Sequence, residues 1–399
     1  MGVYDIGVAG CGPAGLAAAL LLARDGHRVR LYERFDAPRP VGSGLMLQPT
    51  GLAVLGELGL ADRAAAAGQR IDRLFGKAEP AGATVLDVRY EWLRRPGLGG
   101  VGIHRAALFG LLHDAVISAA IPLETSRTVR GVAEGRLQFD GGAGSDRHDL
   151  IVDCLGAHSP LTSQPGRTLT YGALWASLDW CEGFDSHALE QRYVAASRMT
   201  GVLPIGRAPG RERPQAAFFW LLREDRYAAW RERGLEPWKA EVRALWPATA
   251  PLLDQIGDVA QLTFARYAHR TLRRPAAPGL IHIGDSWHST SPQLGQGANM
   301  ALLDAWALAK ALREEETLER GLARAVALRR VHVALYQALS AVFTPAYQSD
   351  SRVLPFIRDR IVPPFGRLWP ATRIQAAMVA GTFGGPLRPL GLALRPGEA

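Results

Sequence analysis

A glycine-rich turn near the start of this 399-residue chain constrains the fold more than any other feature of the sequence. The apolar run YDIGVA precedes GCGPAG, the strong helix former LAAALLLARDGH follows, and RVRLYER then ends at Glu33 and Arg34. This order predicts a Rossmann-like unit in which Gly10 permits the tight turn, Gly12 admits a pyrophosphate and Gly15 packs against the first strand. A carboxylate placed like that of Glu33 accepts hydrogen bonds from a free ribose, so the turn favours FAD or NAD over NADP.

A second glycine-rich segment, GDSWHSTSPQLGQGANM, begins at Gly284 between an apolar strand and a long predicted helix. Asp285 follows the strand, where a carboxylate can accept hydrogen bonds from ribitol hydroxyls. The GQGAN part carries little side-chain bulk and opens the helix at about Gly297. Its N–H groups and the positive end of the helix dipole can therefore face the pyrimidine edge of a flavin. This segment favours FAD over NAD.

These residues resemble the class A FAD-dependent monooxygenases, the para-hydroxybenzoate hydroxylase group that includes the ubiquinone-pathway hydroxylases. The late segment matches that family's pattern of GD, two residues, H, three residues, P, two residues, GQG, one residue and N. Residues 41–60 resemble the stretch beside the flavin ring, GIHRAALFGLL resembles a helix start whose arginine reaches the cofactor, and TSRTVRGV resembles the strand that meets the adenine. The resemblance implies one non-covalent FAD held by both glycine-rich segments. The cofactor-binding residues expected from the motifs are Gly10, Gly12, Pro13, Ala14, Gly15, Glu33, Arg34, Gly44, Arg105, Val129, Gly284, Asp285, Pro292, Gly295, Gln296, Gly297, Ala298 and Asn299.

The middle of the chain departs from the family's pattern. DLIVDCLGAHSPLTS matches the motif D-x-x-x-G-A-D-G-x-x-S-x-x-R at Asp149, Gly156 and Ser159, but Leu155 replaces its second aspartate and Thr162 its arginine. A leucine side chain offers no hydrogen bond to a ribose or a phosphate. We expect FAD binding to rest on the other two motifs, and the handling of NADH or NADPH to differ from that of the family.

Residues 167–274 differ from the flanking regions in sequence pattern and composition, with strand-like runs such as TYGALWASLDW and AAFFWLL and a concentration of tryptophans. Aromatic side chains on an antiparallel sheet are typical of the wall of an apolar pocket, and also of ordinary core packing. The candidate substrate contacts in this region are Tyr171, Trp175 and Trp220.

These segments together predict an α/β chain. We expect a discontinuous Rossmann-like FAD-binding domain (1–75, 98–166 and 275–345) with an inserted mixed or antiparallel β-sheet substrate domain (76–97 and 167–274). The tail, 346–399, mixes apolar residues, prolines and spaced arginines, and we predict a C-terminal helical cap. Its composition also fits a membrane-surface segment or a dimer contact, which are the less favoured interpretations.

The resemblance also implies the chemistry. Such an enzyme uses NADH or NADPH and O2 to hydroxylate or epoxidise an aromatic or other electron-rich small molecule, through a flavin C4a-hydroperoxide. The backbone carbonyl of Pro292 is expected to help place the reacting site. Gln48 is a candidate catalytic residue that would contact the substrate, and His288 either serves the chemistry or holds its loop. An oxidase, desaturase or reductase of the same fold is the alternative. A flavin-dependent halogenase would need a W-x-W-x-I-P segment, which the sequence lacks, and a flavin-carrying binding protein would not be reduced by a pyridine nucleotide.

Charge and cysteine usage narrow the expected partners. Lys and Arg outnumber Asp and Glu by 46 to 38, giving a net charge of +8 without a dense basic block or an RNA-binding signature, so nucleic acid is not an expected partner. The three cysteines are far apart in sequence, which argues against a disulfide framework and a metal site and favours a reducing compartment. The N-terminus shows no secretory signal, and we expect a cytoplasmic monomer or homodimer.

Overall fold

The computed structural model describes residues 2–37, 43–366 and 368–394. Helices and strands alternate through the first half of the chain, and helices dominate after residue 297. The helices are α1 (Pro13–Arg24), α2 (Pro49–Glu57), α3 (Ala61–Ala67), α4 (Arg105–Ser118), α5 (Tyr227–Arg233), α6 (Leu235–Leu245), α7 (Ala250–Leu253), α8 (Gly297–Glu314), α9 (Leu318–Tyr347), α10 (Val353–Phe356), α11 (Val362–Gly366), α12 (Ala371–Val379) and α13 (Leu387–Leu390).

The strands form five sheets. They are β1 (Asp5–Ala9), β2 (Arg28–Tyr32), β3 (Gly44–Leu47), β4 (Gln69–Ile71), β5 (Arg73–Ala78), β6 (Ala83–Arg89), β7 (Gly100–His104), β8 (Leu123–Glu124), β9 (Val129–Ala133), β10 (Arg136–Phe139), β11 (Leu150–Asp153), β12 (Arg167–Thr168), β13 (Tyr171–Asp179), β14 (Ala188–Val194), β15 (Arg198–Pro204), β16 (Gln215–Arg223), β17 (Thr263–Ala265), β18 (Ala268–Thr271), β19 (Ala276–Ala277), β20 (Leu280–His282) and β21 (His288–Ser289).

A six-stranded sheet carries both glycine-rich segments. Its order is β19-β20-β11-β1-β2-β8, and all its pairings are parallel except that of β19 with β20. The central strands are buried apolar runs, as expected for a parallel sheet covered on its faces. Because β1 and β20 run in the same direction, the two glycine-rich segments leave the same edge of the sheet. The predicted α/β class with a Rossmann-like domain is confirmed.

The second large sheet is mixed and has seven strands in the order β17-β13-β16-β15-β14-β5-β6. Only β14 and β5 pair in parallel. Alternation along β16 sends Phe219 and Trp220 to opposite faces: Trp220 packs with Trp230 and Trp238 under α5–α7, and Phe219 packs against Trp175. The predicted domain boundary after residue 75 falls inside β5, and since β5 pairs with β14 and β6, we place the boundary before Arg73.

A buried ionic network ties the later helices to the second glycine-rich segment. The carboxylate of Asp304, in α8, accepts hydrogen bonds from the backbone N–H of Gly284 (2.9 Å), from His288 Nε2 (2.6 Å) and from Arg329 Nε in α9 (2.7 Å). Arg329 also contacts His332 Nδ1 at 2.9 Å, and His332 Nε2 lies 3.1 Å from the carbonyl oxygen of residue 381. One carboxylate therefore fixes the loop, two helices and the chain's last segment relative to each other.

The electrostatics of this network follow from its burial. Burial opposes the ionisation of Asp304, but the charges of His288 and Arg329 outweigh that effect and lower the pKa of Asp304 to about 2. Burial and the neighbouring Arg329 lower the pKa of His332 to about 3, so His332 stays neutral.

Among the described residues, no helix combines the length and apolarity needed to cross a membrane.

Arg329→Met should destabilise the protein by about 3–5 kcal/mol, because it leaves the carboxylate of Asp304 buried with a weakened set of partners. A carboxyl group whose pKa is lowered on folding stabilises the native state above its unfolded pKa, and that stability is lost as the pH falls. We therefore expect wild-type stability to decline between about pH 4 and pH 2 as Asp304 is protonated, and in the variant this decline should be smaller, because the native pKa of Asp304 moves back towards its unfolded value. Urea unfolding across this pH range measures both effects. Arg330→Met, at the exposed neighbouring position, is the matched control, and equal stability of the two variants would contradict the role of Asp304.

Candidate cofactor and substrate site

The first glycine-rich turn has the shape that a pyrophosphate needs. Gly10 has a φ of +101°, and a β-carbon at Gly15 would lie 1.9 Å from the carbonyl oxygen of Gly10, so neither position accepts a side chain. An added β-carbon at Gly12 would meet no described atom within 4 Å. Helix α1 begins at Pro13 without a side-chain cap, so its first N–H groups are available to an anion.

Glu33 lies beside this turn, at the end of β2. Its buried carboxylate accepts hydrogen bonds from the backbone N–H groups of Cys11 (3.0 Å) and Phe35 (3.2 Å). Burial and the charge of Glu33 raise the pKa of the Cys11 thiol, which therefore stays neutral. Val129 is buried in the small apolar cluster that also includes the end of β2, whereas Arg34 is exposed, with its guanidinium 4.6 Å from the centroid of the Phe35 ring.

The two glycine-rich segments meet in space. A β-carbon at Gly284 would lie 3.3 Å from the Cβ of Ala14, in the first turn of α1. The next residue, Asp285, is exposed although both Gly284 and Ser286 are buried. Its Oδ1 lies 3.9 Å from where a β-carbon of Gly297 would stand, at the start of α8. The carboxylate of Asp285 thus faces a recess between the two loops, within reach of a single extended ligand.

The charges around Asp285 define the recess. Packing of the protein around Asp285 raises the pKa of its carboxyl group although the side chain reaches the open recess, and His288, Arg105 and Arg270 partly oppose this shift. Arg105 begins α4 and is exposed, as a residue that reaches into the recess would be. His288 is buried with its Nε2 bonded to Asp304, which matches the loop-holding role and not a role in the chemistry.

Asn299 joins the second glycine-rich segment to β3 and to the start of α2. Its Oδ1 accepts a hydrogen bond from the backbone N–H of Gln48 (2.8 Å), and its Nδ2 donates to the carbonyl oxygens of Met46 (3.1 Å) and Gly295 (3.0 Å). A β-carbon at Gly51 would lie 2.2 Å from the same Oδ1, so the contact needs a glycine there. These bonds hold Gln48 next to the loop.

Gln48 carries an unpaired amide nitrogen in a fully buried position. Its Oε1 accepts a hydrogen bond from the Tyr90 hydroxyl, while its Nε2 has no partner among the described residues. Thr50 Oγ1 and Gln296 Oε1 are buried without a partner nearby, although Gln296 Nε2 donates to the carbonyl oxygen of Val379 (2.6 Å). Buried polar atoms normally have partners, so such a group points to water or a ligand.

The three aromatic residues predicted as substrate contacts in the seven-stranded sheet have different surroundings. Trp175 packs on the side that faces Met46 and Tyr90, and its Nε1 donates a hydrogen bond to the hydroxyl of Tyr267 (2.8 Å). Burial raises the pKa of Tyr267 to about 12. Tyr171 is buried, and its hydroxyl donates to Asp350 (2.6 Å). Trp220 is buried on the opposite face of the sheet, under α5–α7. Tyr171 and Trp175 therefore lie on one face of the sheet and Trp220 on the other.

The remaining predicted positions lie on the two loops or on β3. Pro292 is exposed and begins a 3₁₀ turn that Gly295 closes with a φ of +61°. Ala298 lies half-buried in the first turn of α8. Gly44 packs against the seven-stranded sheet, since a β-carbon there would lie 2.4 Å from the Ile205 side chain. The first two positions of the 41–60 stretch lie outside the described residues.

In the middle motif, a carboxylate occurs two residues earlier than the family's pattern predicts. Asp153 is fully buried at the end of β11 and accepts hydrogen bonds from the Leu155 N–H (2.9 Å) and the Ser159 hydroxyl (2.6 Å). His282 Nδ1 lies 2.6 Å from its Oδ2. Leu155 is half-buried against the apolar cluster at the end of β2, and Thr162 Oγ1 only accepts a local backbone hydrogen bond. Asp153 therefore fixes the turn from inside.

Sequence analysis missed Arg270, which the structure places beside the recess. Its side chain is buried, Nη2 donates to the carbonyl oxygen of Ala157, and Nε and Nη1 have no partner among the described residues. Burial lowers its pKa, and the charges of Asp153 and Asp285 oppose that shift. A guanidinium with free N–H groups beside a dinucleotide cleft suits a phosphate. Its only sequence signal is an arginine inside a short strand before the second glycine-rich segment.

Gly12→Val should abolish FAD binding without unfolding the protein, because the added side chain meets open space in the protein but occupies the pyrophosphate position. Asp285→Ala should weaken FAD binding by roughly 10- to 150-fold, the loss expected for one charge-assisted hydrogen-bond partner. Titration of the apoprotein with FAD, followed by quenching of flavin fluorescence, measures both. Gly110→Val, at another glycine with open space in α4, is the control, and a Gly12→Val protein that binds FAD normally would rule out this position for the pyrophosphate.

Comparison with known proteins identifies the family. Residues 3–99 and 129–333 match the family model described as FAD binding domain. The 6-methylpretetramide 4-monooxygenase of Streptomyces rimosus is 30% identical over 397 residues, covering 94% of this chain and 88% of the relative. The aurachin C monooxygenase/isomerase of Stigmatella aurantiaca is 26% identical, covering 92% of this chain and 95% of the relative.

Solved structures share the fold. The tetrameric form of 2-methyl-3-hydroxypyridine-5-carboxylic acid oxygenase superposes with a TM-score of 0.79 at 20% identity, covering 97% of this chain and 98% of the other. A variant of Klebsiella pneumoniae HpxO complexed with FAD gives a TM-score of 0.80 at 18% identity, covering 96% and 100%. The family model and the full-length relative show that this chain belongs to the FAD-dependent monooxygenases of the para-hydroxybenzoate hydroxylase type and that FAD is its cofactor.

Proposed function

We propose that this monooxygenase uses NADH or NADPH and O2 to hydroxylate an aromatic molecule bound between the Asp285 loop and the seven-stranded sheet. The observation that carries the proposal is the buried amide of Gln48, which lies unpaired beside the second glycine-rich segment. FAD supplies the redox and oxygen-transfer chemistry when it is bound. The chain's part is to hold the cofactor, orient the substrate and exclude water.

We assign the adenine half and the pyrophosphate of FAD to the first turn and Glu33, and the ribitol and the ring system to Asp285 and segment 295–299. The support is that the two loops touch and that Asp285 faces the recess between them. The N-terminus of α8 favours negative charge on the flavin pyrimidine. The exposed carbonyl-bearing turn at Pro292 is where the reacting part of the substrate would be placed.

The polar groups near Gln48 favour a substrate with a neutral oxygen acceptor. Burial raises the pKa of Tyr90, so its hydroxyl remains protonated and donates to Gln48 Oε1. This bond fixes the amide so that Nε2 is the free donor. The surroundings of the pair are apolar, with Met46 and Trp175 in the same cluster. A carbonyl or phenol oxygen beside the reacting carbon would satisfy the amide.

The names of the relatives support an aromatic substrate. They include the 6-methylpretetramide 4-monooxygenase, a 3-amino-4-hydroxybenzoate 2-monooxygenase of Streptomyces cremeus and a 6-hydroxynicotinate 3-monooxygenase of Bordetella bronchiseptica. The last two names state a hydroxyl-bearing aromatic substrate, 3-amino-4-hydroxybenzoate and 6-hydroxynicotinate. We extend that class, and no individual substrate, to this chain.

We expect the enzyme, supplied with NADH or NADPH and a panel of phenols, quinolones and polycyclic aromatic ketones, to insert one oxygen atom from O2 into one class of compound. Mass spectrometry of products formed under ¹⁸O₂ detects that atom. Gln48→Leu should raise KM by roughly tenfold with the FAD content unchanged, because a buried acceptor on the substrate loses its donor. Gln164→Leu, at an exposed position, is the control. Oxidised products without ¹⁸O would instead identify an oxidase or desaturase.

The leucine at position 155 leads to a prediction about the rate at which the flavin is reduced. If a carboxylate at this position assists the docking of NADH or NADPH, the wild-type enzyme without substrate should be reduced slowly, and substrate should accelerate reduction by favouring the competent arrangement. Leu155→Asp should raise the substrate-free rate, as measured by stopped-flow absorbance of the flavin. Leu161→Asp, which alters a side chain packed on the same apolar cluster, is the matched control. Fast substrate-free reduction in wild type, unchanged in Leu155→Asp, would show that Leu155 only packs.

A further inference from the structure

Exposed apolar side chains are concentrated in one part of the molecule. Among the described residues, twelve large apolar side chains are exposed, and eight of them lie between residues 353 and 374. Trp369 is 68% exposed, Phe356 60% and Ile361 47%. Monomeric proteins rarely expose contiguous apolar surface of this kind unless it meets a partner or a membrane. We call the surface formed by these eight side chains the outer face: Val353, Leu354, Phe356, Ile357, Ile361, Leu368, Trp369 and Ile374.

The outer face belongs to a segment whose inner side is anchored. The buried guanidinium of Arg358 donates to the carbonyl oxygens of Ala346 (2.9 Å) and Ala195 (3.0 Å). Ala376 and Val379, on α12, are buried in the cluster beneath the seven-stranded sheet. These contacts hold residues near Arg358 and helix α12 against the protein, while the eight apolar side chains of the outer face stay exposed.

The charges on this segment have one dominant sign. Residues 352–374 contain five arginines and a single acid, Asp359. Arg352, Arg360 and Arg373 are exposed, whereas Asp359 is bonded to the buried Arg358 at 2.6 Å.

The acids on the elements packed beside the segment are also engaged. Asp87 in β6 makes a two-point ion pair with Arg73, and Glu91 lies 3.5 Å from Arg89. The outer face is therefore an apolar surface edged by cations.

The exposed apolar side chains and the arginines beside them together favour one kind of binding partner. Two copies of the chain that met through the outer face about a two-fold axis would bring arginines against arginines, without an unengaged acid in segment 352–374 to offset them. An anionic bilayer complements both features: aromatic and aliphatic side chains enter the headgroup region, and arginines pair with lipid phosphates. We propose that the outer face docks the enzyme on the surface of a membrane that contains anionic phospholipids.

Flotation of the FAD-loaded enzyme with vesicles tests the proposal. We expect binding to phosphatidylcholine vesicles that contain phosphatidylglycerol, little binding to phosphatidylcholine alone, and weaker binding as salt is raised. The double variant Phe356→Ser, Trp369→Ser should lose most of the binding. The triple variant Arg352→Gln, Arg360→Gln, Arg373→Gln should lower the partition coefficient on the order of 100-fold, since each arginine near an anionic surface contributes about fivefold.

The control is Val331→Ser, which removes a 73% exposed apolar side chain from α9, outside the outer face. It should bind vesicles like wild type. The melting temperature and flavin absorbance of every variant show whether it is folded and loaded, so loss of vesicle binding is read only from intact enzyme. Absence of binding by wild type, or equal binding to neutral vesicles, would overturn the proposal. So would a dimer, measured by light scattering, that the same substitutions dissociate, because that result makes the outer face a contact between copies.

Discussion

The carboxylate of Asp304 is the interaction on which the arrangement of the site depends. It receives hydrogen bonds from the Gly284 N–H, His288 and Arg329, and thereby positions the strand-to-helix loop that carries Asp285. A buried ion pair of this kind adds little net stability compared with apolar packing, but removing one partner is costly. Its effect is therefore positional: the loop has one favourable conformation because the buried charge has one satisfied arrangement.

The same network extends beyond the loop. His332 carries it from Arg329 to the backbone at residue 381, and Gln296 independently bonds the carbonyl oxygen of Val379. The C-terminal part of the chain is thus attached to the second glycine-rich segment through residues 379 and 381, and the exposed apolar side chains that precede them form the outer face.

The middle motif shows how one position can lose a polar contact while the turn is kept. Leu155 supplies no carboxylate, yet Asp153 holds the Leu155 N–H, the Ser159 hydroxyl and His282 from within the core. The buried carboxylate preserves the backbone of the turn but faces inwards, so it does not replace a carboxylate at the surface. A change at residue 155 can therefore alter what the turn presents without disturbing its backbone.

The sequence by itself determined the βαβ unit, the two glycine-rich segments and the family. The positive φ angles of Gly10 and Gly284 and the close packing at Gly15 favour glycine at these positions, and the spacing of apolar residues indicates which side of each element is buried. It also placed Asp285 and Asn299 in the second glycine-rich segment. Only the tertiary structure decided what surrounds each aromatic residue of the seven-stranded sheet, separating Trp175 from Trp220, because the environment of a strand face depends on what packs against it. Arg270 and the Gln48–Tyr90 pair likewise join residues far apart in the chain, and no local pattern encodes such distances.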